Sequence, residues 1–164
     1  MRASFWLSLA RVVMVLGLAT ASCGSSSSSN PDSFVGSWTF QSGSIHPGCG
    51  SIPGITDIDL TGDAVTITKV DSSHIAMVVA ATGAMCDVRF AVDGNTATAE
   101  SGQTCAISDA GYSATLNVTR WTLSMNSGTI TMSMSGTATV SIIMCAPTST
   151  GTMVRGGSDA AQGG

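Results

Sequence analysis

Apolar and polar residues alternate along much of the chain, beginning near residue 34. The stretches 34–40 and 86–92 alternate, and the longest alternating stretch runs over 130–142. A period of two is typical of a β strand with one buried face. Asp93-Gly94-Asn95 follows the second stretch and favours a tight hairpin turn, from which 96–100 returns. The pattern therefore predicts antiparallel strands joined by short turns.

Other segments extend this series of strands. The stretches 58–60 and 65–67 flank turn residues and predict a second hairpin. The stretch 75–81 is nearly all apolar, which predicts a strand buried on both faces. The Gly- and Pro-rich stretch 43–54 and the stretch 101–112 are predicted to be loops.

The apolar positions change phase within one later strand. Leu116 and Val118 share one parity and Trp121 shares the other, so we expect a bulge near 119–120. A last strand is predicted at 150–155. About eight strands, each next to its sequence neighbour, favour an all-β fold: a single antiparallel up-and-down β-barrel that hides its edges. A two-sheet β-sandwich is the alternative.

The amino-acid composition favours β strands over helices, and the net charge argues against nucleic acid as a partner. The chain is rich in Ser, Thr, Gly, Ala and Val, which disfavours helices. After residue 22 it carries four basic side chains against ten acidic ones, a formal charge of −6. Four scattered cations form no basic patch, so the sequence argues against nucleic acid as a partner.

The first residues have the three parts of a secretion signal. Arg2 and Arg11 supply positive charge, and the apolar run 12–18 is far shorter than the roughly 20 residues that span a bilayer. The small residues Thr20-Ala21-Ser22 precede Cys23, which is followed by a tether of Gly24, five serines and Asn30. This arrangement resembles the lipobox of bacterial lipoproteins, with Cys23 at the cleavage point.

The lipobox resemblance implies a chemistry and a location. It implies a diacylglycerol on the Cys23 sulfur, cleavage before Cys23 and acylation of the new amine, an anchor of two or more acyl chains. Gly24 is not the aspartate that retains enterobacterial lipoproteins at the inner membrane, so the cell envelope and its outer membrane are the expected location. The expected organisation is a signal peptide at 1–22, a lipidated tether at 23–33, a β-barrel domain at 34–156 and a flexible tail at 157–164.

A second resemblance concerns the two ends of the barrel domain. Gly36-Ser37-Trp38 is similar to the Gly-Xaa-Trp that opens the first strand of lipocalins and related calycin barrels. In that family the tryptophan lies across the closed end of the barrel and a late arginine packs over it. The resemblance implies that Arg155 covers Trp38 in a cation–π contact.

Four cysteines besides Cys23 make two disulfides the expectation for an exported chain, with three connectivities open. A lipocalin-like barrel makes its first and last strands neighbours, which suits a Cys49–Cys145 bridge. Cys86 and Cys105 flank the 87–100 hairpin and suit a bridge across its base. The cysteines have no ligand spacing, so we expect no metal site and no cofactor.

Catalytic constellations are not evident in the sequence. His46 and His74 are the two histidines, and no nucleophile elbow accompanies them. Asp57 and Asp59 share a strand face, which we interpret as a solvated face rather than a glycosidase pair. We therefore expect no catalytic residue and a protein that is not an enzyme.

Two functions remain open at this point. The first is a non-catalytic, membrane-anchored lipoprotein that binds a small apolar or amphiphilic ligand inside its barrel. The second is a solid-cored structural or interaction domain displayed on the cell surface, with protein partners that the sequence does not identify. A large apolar cavity would favour the first. The expected cavity residues are Met77, Trp121, Met125, Met132 and Met134.

Overall fold

The computed structural model describes residues 30–50, 56–81, 84–109, 112–140 and 142–156. The predicted signal peptide, Cys23 and the tail at 157–164 lie outside these ranges. A short 3-10 turn, Pro31–Ser33, precedes the strands. The strands are β1 (Gly36–His46), β2 (Ile58–Asp59), β3 (Ala64–Lys69), β4 (His74–Ala81), β5 (Ala84–Asp93), β6 (Thr96–Ala99), β7 (Thr104–Asp109), β8 (Tyr112–Asn126), β9 (Thr129–Val140), β10 (Ile143–Cys145) and β11 (Thr148–Arg155).

Eight of these strands close into an antiparallel β-barrel. The order β1, β3, β4, β5, β6, β8, β9 and β11 follows the chain, and β11 pairs with β1. Every pairing in this ring is antiparallel. The predicted all-β fold and single up-and-down barrel are confirmed, and the two-sheet sandwich is excluded.

Three short strands lie outside the eight-stranded ring. Each pairs with a ring strand beyond the stretch where that strand pairs with its neighbour in the ring. β2 pairs with β1 beyond the point where β3 pairs with it. β7 pairs with β5 and β8 beyond the point where β6 pairs with them, and β10 pairs with β9 beyond β11. The predicted hairpin between 58–60 and 65–67 is wrong, because both segments pair with β1. Residues 60–63 form a turn held at Phe40, whose N–H donates to the Asp63 carbonyl and whose carbonyl accepts from Gly62 N–H.

Three further segments differ from the sequence prediction. β1 continues to His46, so residues 43–46 of the predicted 43–54 loop belong to a strand. In β4, Ile75, Met77 and Val79 are buried but Val78 is 45 % exposed, so the strand has one buried face instead of two. The predicted loop at 101–112 contains β7, in which Cys105 is buried between exposed neighbours. The phase change in β8 is as predicted, with a register shift between Val118 and Arg120.

The two ends of the barrel differ, and we call them the Trp38 end and the disulfide end. At the Trp38 end the chain enters from the Pro31–Ser33 turn and leaves after Arg155, where Gly156 N–H donates to the Ser37 carbonyl. At the disulfide end, β1 stops and the Cys49–Cys145 bridge follows. All described strands and both bridges lie after Asn30. The described part of the chain has no helix able to cross a bilayer.

Candidate functional site

The Trp38 end is closed by a tryptophan beneath an arginine. Trp38 is fully buried, and its Nε1 donates to the Phe34 carbonyl at 2.7 Å. The guanidinium carbon of Arg155 lies 4.8 Å from the centre of the Trp38 ring. Arg155 also donates from Nη1 to the Val35 carbonyl and from Nη2 to the Ser33 carbonyl, each at 2.9 Å. One arginine therefore ties the entering segment to the last strand.

Gly36 makes room for this arginine. Its φ of +141° lies in the region that L side chains rarely adopt, and a Cβ there would stand 2.9 Å from Arg155 Nη1. The three residues that the sequence singled out for closure, Gly36, Trp38 and Arg155, thus meet at one place. This arrangement seals the end at which the chain enters.

The disulfide end carries both bridges in the predicted pairing. Cys49 is linked to Cys145 across 96 residues, and Cys86 to Cys105 across 19 residues. Cys86 and Cys105 are also register partners of β5 and β7. The first bridge joins the two neighbouring ends of the barrel wall beyond the paired residues His46 and Thr148.

A small apolar cavity lies inside the barrel beside the second bridge. Its volume is about 40 Å³. The lining includes Leu60, Cys86, Ile107, Trp121, Met132 and Met134. Ligand sites for drug-sized molecules usually measure roughly 300–1,000 Å³, so this cavity has room only for a very small molecule unless side chains move.

Of the five residues predicted to line a cavity, three do so. Trp121, Met132 and Met134 line it, whereas Met77 is fully buried elsewhere in the core. Met125 is partly buried near the opposite end, where its N–H donates to the Asn95 carbonyl. The predicted set omits Ile107, because the pattern predicts a loop at 101–112, where the structure has β7. The alternation of Cys105 and Ile107 was the available signal.

Trp121 has an unusual environment for a tryptophan. It is 4 % exposed and packs edge-on against Phe90, with the ring centres 5.8 Å apart. Its Nε1 is buried and has no hydrogen-bond partner among the described residues. The other tryptophan of the barrel, Trp38, is fully satisfied. Trp121 thus lines the cavity with its ring, and its Nε1 is a buried donor without a partner in the described part of the chain.

Four ionisable side chains form a network on the outer surface at the start of β4. His74 Nδ1 lies 2.7 Å from Asp71 Oδ1, and Arg89 Nη2 lies 3.0 Å from Asp71 Oδ2. Glu100 Oε1 closes the network from the other side, 3.3 Å from His74 Nε2 and 3.4 Å from Arg89 Nε. The backbone N–H of Ser73 and then the His74 ring lower the pKa of Asp71 to about 2. No spacing in the sequence predicts this network.

The network does not have the geometry of a catalytic triad. Ser73 Oγ and Asp71 Oδ1 both contact the same ring nitrogen of His74, Nδ1. A triad places the nucleophile and the carboxylate on opposite ring nitrogens, so that one proton can pass through the ring. The other histidine, His46, contacts Asp57 at 2.6 Å on the exposed surface. Among the described residues no group of three His, Cys, Asp or Glu side chains could hold a metal ion.

Comparisons with known proteins returned no match to a protein-family model, to a curated protein or to a solved structure. The described residues therefore classify this protein by its fold alone. It is a small, closed, disulfide-bonded antiparallel β-barrel in which a tryptophan seals one end.

Proposed function

We propose that this chain is a lipid-anchored, non-catalytic protein of the bacterial cell envelope, and that its barrel takes up a small apolar molecule. The sequence of residues 12–30 supports the anchor, because an apolar run, small residues and a cysteine are followed at once by a serine tether. The lipobox resemblance gives this pattern its chemistry. An outer-membrane location follows from Gly24 by the same resemblance.

The place where the chain enters the barrel fits this proposal. Asn30, the first described residue, leads into the barrel at the Trp38 end, which is sealed by Arg155. The cavity lies near the other end, beside the Cys86–Cys105 bridge. A barrel anchored through this segment would have its sealed end toward the lipid and its cavity away from the lipid. The single observation that supports uptake of a ligand is the apolar cavity inside the barrel, whose lining includes Trp121, Met132 and Met134.

The anchor is tested by Cys23→Ala in the full chain. The wild-type protein is expected in the membrane fraction of its host, and the variant is expected to leave that fraction. The double variant Cys86→Ala/Cys105→Ala is the matched control, since it removes two cysteines without touching the lipobox. Membrane retention of Cys23→Ala in a form that resists salt and carbonate washing would contradict the anchor.

Ligand uptake is tested by native mass spectrometry of a chain that begins at Asn30, purified gently from its host. Additional apolar mass that is released on denaturation would support uptake and would show the class of the cargo. A clean mass for the bare chain, with no binding of a fluorescent fatty-acid probe, would contradict it.

The second candidate is a solid-cored domain that works through a surface contact. It is favoured by the small cavity volume and by an exposed apolar tip beside the Cys49–Cys145 bridge. Ile142 is 96 % exposed and Met144 is 77 % exposed. Exposed apolar residues grouped in this way are typical of interaction sites. A photo-crosslinking residue at position 142 should then give specific adducts in intact cells, while the same residue at the exposed turn position Ser127 should not.

A further inference from the structure

We propose that the Cys49–Cys145 bridge is a site of thiol–disulfide exchange, and that an incoming dithiol loosens the disulfide end of the barrel by reducing it. Such an exchange requires neither the lipid anchor nor a ligand in the cavity, so it goes beyond the function proposed above. The Cys86–Cys105 bridge has no part in it and stays oxidised.

The four paired cysteines differ in how far they are exposed. Cys86, Cys105 and Cys145 are buried, with 8 %, 1 % and 2 % of their surface exposed. Cys49 is only partly buried. A disulfide is opened by a thiolate that reaches one of its sulfurs, so access decides which bridge reacts. An attacking thiolate therefore meets one partly exposed cysteine in the Cys49–Cys145 bridge and two buried cysteines in the other bridge.

The strand pairings beside the Cys49–Cys145 bridge are short. The pairing of β1 with β11 ends at His46 and Thr148. β10, which carries Cys145, has three residue pairs with β9, and β2 has two residue pairs with β1. Segments held by few backbone pairs open at a low free-energy cost. Reduction of the bridge should therefore loosen this end locally, while the Trp38 end keeps the contacts of Arg155.

The bridge lies directly beyond the cavity. Ile45 and Ser149 both line the cavity and are register partners on β1 and β11. The next pair, His46 and Thr148, is the last before the bridge. Because the bridge links the two strands covalently past this pair, its reduction allows their ends to separate beside the cavity. The reduced protein should then give freer access to the apolar interior than the oxidised protein.

The exchange needs a dithiol as the reductant, such as the paired cysteines of a disulfide oxidoreductase. Its first thiolate attacks Cys49 Sγ, the bond between Cys49 and Cys145 breaks, and Cys145 leaves as a thiolate that takes up a proton. The second thiol of the reductant then attacks the mixed disulfide and releases Cys49. Two electrons thus pass to the two cysteines, and the dithiol becomes a disulfide.

Backbone carbonyls lie close to both sulfurs of this bridge. The Pro47 carbonyl oxygen is 3.5 Å from Cys49 Sγ, and the Ile143 carbonyl oxygen is 3.9 Å from Cys145 Sγ. A thiol is a weak hydrogen-bond donor, so each released cysteine has an acceptor in place.

Partial reduction of the full-length protein, purified from its host membrane in detergent, tests the site. The folded protein is treated with dithiothreitol, and the thiols that form are trapped with excess N-ethylmaleimide in denaturant. Trypsin cuts after Lys69, Arg89 and Arg120, so Cys86 and Cys145 fall in separate peptides. We expect Cys145 to be labelled at least about tenfold faster than Cys86. Equal rates, or earlier labelling of Cys86, would overturn the proposal.

Amide hydrogen exchange of the selectively reduced protein tests the loosening. Exchange at Ile45 and Ser149 should become at least about tenfold faster than in the oxidised protein, while exchange at the Trp38 end stays the same. Unchanged exchange at both positions would overturn the loosening. Faster exchange throughout the barrel would overturn it too, because reduction would then unfold the chain instead of freeing one end.

Two variants serve as matched controls for the exchange measurement. Cys49→Ser/Cys145→Ser should show the loosened pattern without any reductant. Cys86→Ser/Cys105→Ser should keep the oxidised pattern at the end of β1 and the start of β11, and should show the loosened pattern there only after dithiothreitol is added. Loosening of these strand ends in the second variant before reduction would show that the Cys49–Cys145 bridge does not hold them.

Discussion

Trp38 and Arg155 are register partners on the first and last strands, and the guanidinium carbon lies 4.8 Å from the centre of the indole ring. The same guanidinium donates to two carbonyls of the entering segment. The contact therefore holds three parts of the chain together: the entry, the first strand and the last strand. Because it joins the two edges of the sheet, it supports closure of the barrel directly.

Arg155→Ala should lower the free energy of unfolding by about 1–3 kcal/mol, since it removes a cation–π contact and two charged hydrogen bonds at a partly exposed site. Arg155→Lys keeps the charge but not the planar fork, and should recover less than half of this loss. Urea unfolding followed by tryptophan fluorescence measures both. A loss below about 0.5 kcal/mol for the alanine variant would show that the contact contributes little.

Gly36→Ala should destabilise the barrel by about 1 kcal/mol more than Gly62→Ala. Both glycines have a positive φ, but a Cβ at Gly36 meets Arg155 Nη1 while one at Gly62 meets nothing within 4 Å. The comparison separates backbone strain from the close approach of Arg155. The extra destabilisation of Gly36→Ala relative to Gly62→Ala should shrink when both are made in an Arg155→Ala background. If it stays the same, the close approach of Arg155 does not explain it.

The two disulfides should differ in their contribution to stability. They close segments of 96 and 19 residues, and chain entropy predicts that the longer one stabilises by about 1.4 kcal/mol more. The variants Cys49→Ala/Cys145→Ala and Cys86→Ala/Cys105→Ala, compared by urea unfolding, test this order. The reverse order would indicate that packing of the buried Cys86 and Cys105 sulfurs outweighs chain entropy.

Asp71 should titrate far below an ordinary aspartate. The Ser73 backbone N–H and the His74 ring lower its pKa from 3.8 to about 2. A folded-state pKa below the unfolded value adds stability that is complete above about pH 4 and is lost as the pH falls toward 2. Carboxyl ¹³C shifts as a function of pH measure the pKa, and Asp71→Asn should remove the corresponding pH dependence of stability. A pKa near 3.8 would show that the network does not form in solution.

Much of the fold follows from local alternation in the sequence. The hairpin at 86–100 and the bulge near Arg120 are visible in the spacing of apolar residues, and sequential strands make closure the natural outcome. The disulfide pairing follows from closure, because it brings Cys49 beside Cys145. Shorter elements were not predictable in this way. β2 and β7 are stabilised by pairing with β1, β5 and β8 rather than by their own pattern.

The candidate site was predictable only in part. Trp121, Met132 and Met134 have the parity of an interior face, so their inward position follows from the sequence. That Trp121 Nε1 has no partner among the described residues does not follow from the sequence, because it depends on which acceptors the folded chain brings near. The network around Asp71 and His74 likewise joins a turn to β5 and to the end of β6, residues that are far apart in sequence.

The anchor proposal is the central claim, and the intact mass of the protein taken from its host membrane tests it most directly. We expect a chain that begins at Cys23 and carries the added mass of a diacylglycerol and an amide-linked acyl chain. A chain that keeps residues 1–22, or that begins elsewhere without lipid, would contradict it.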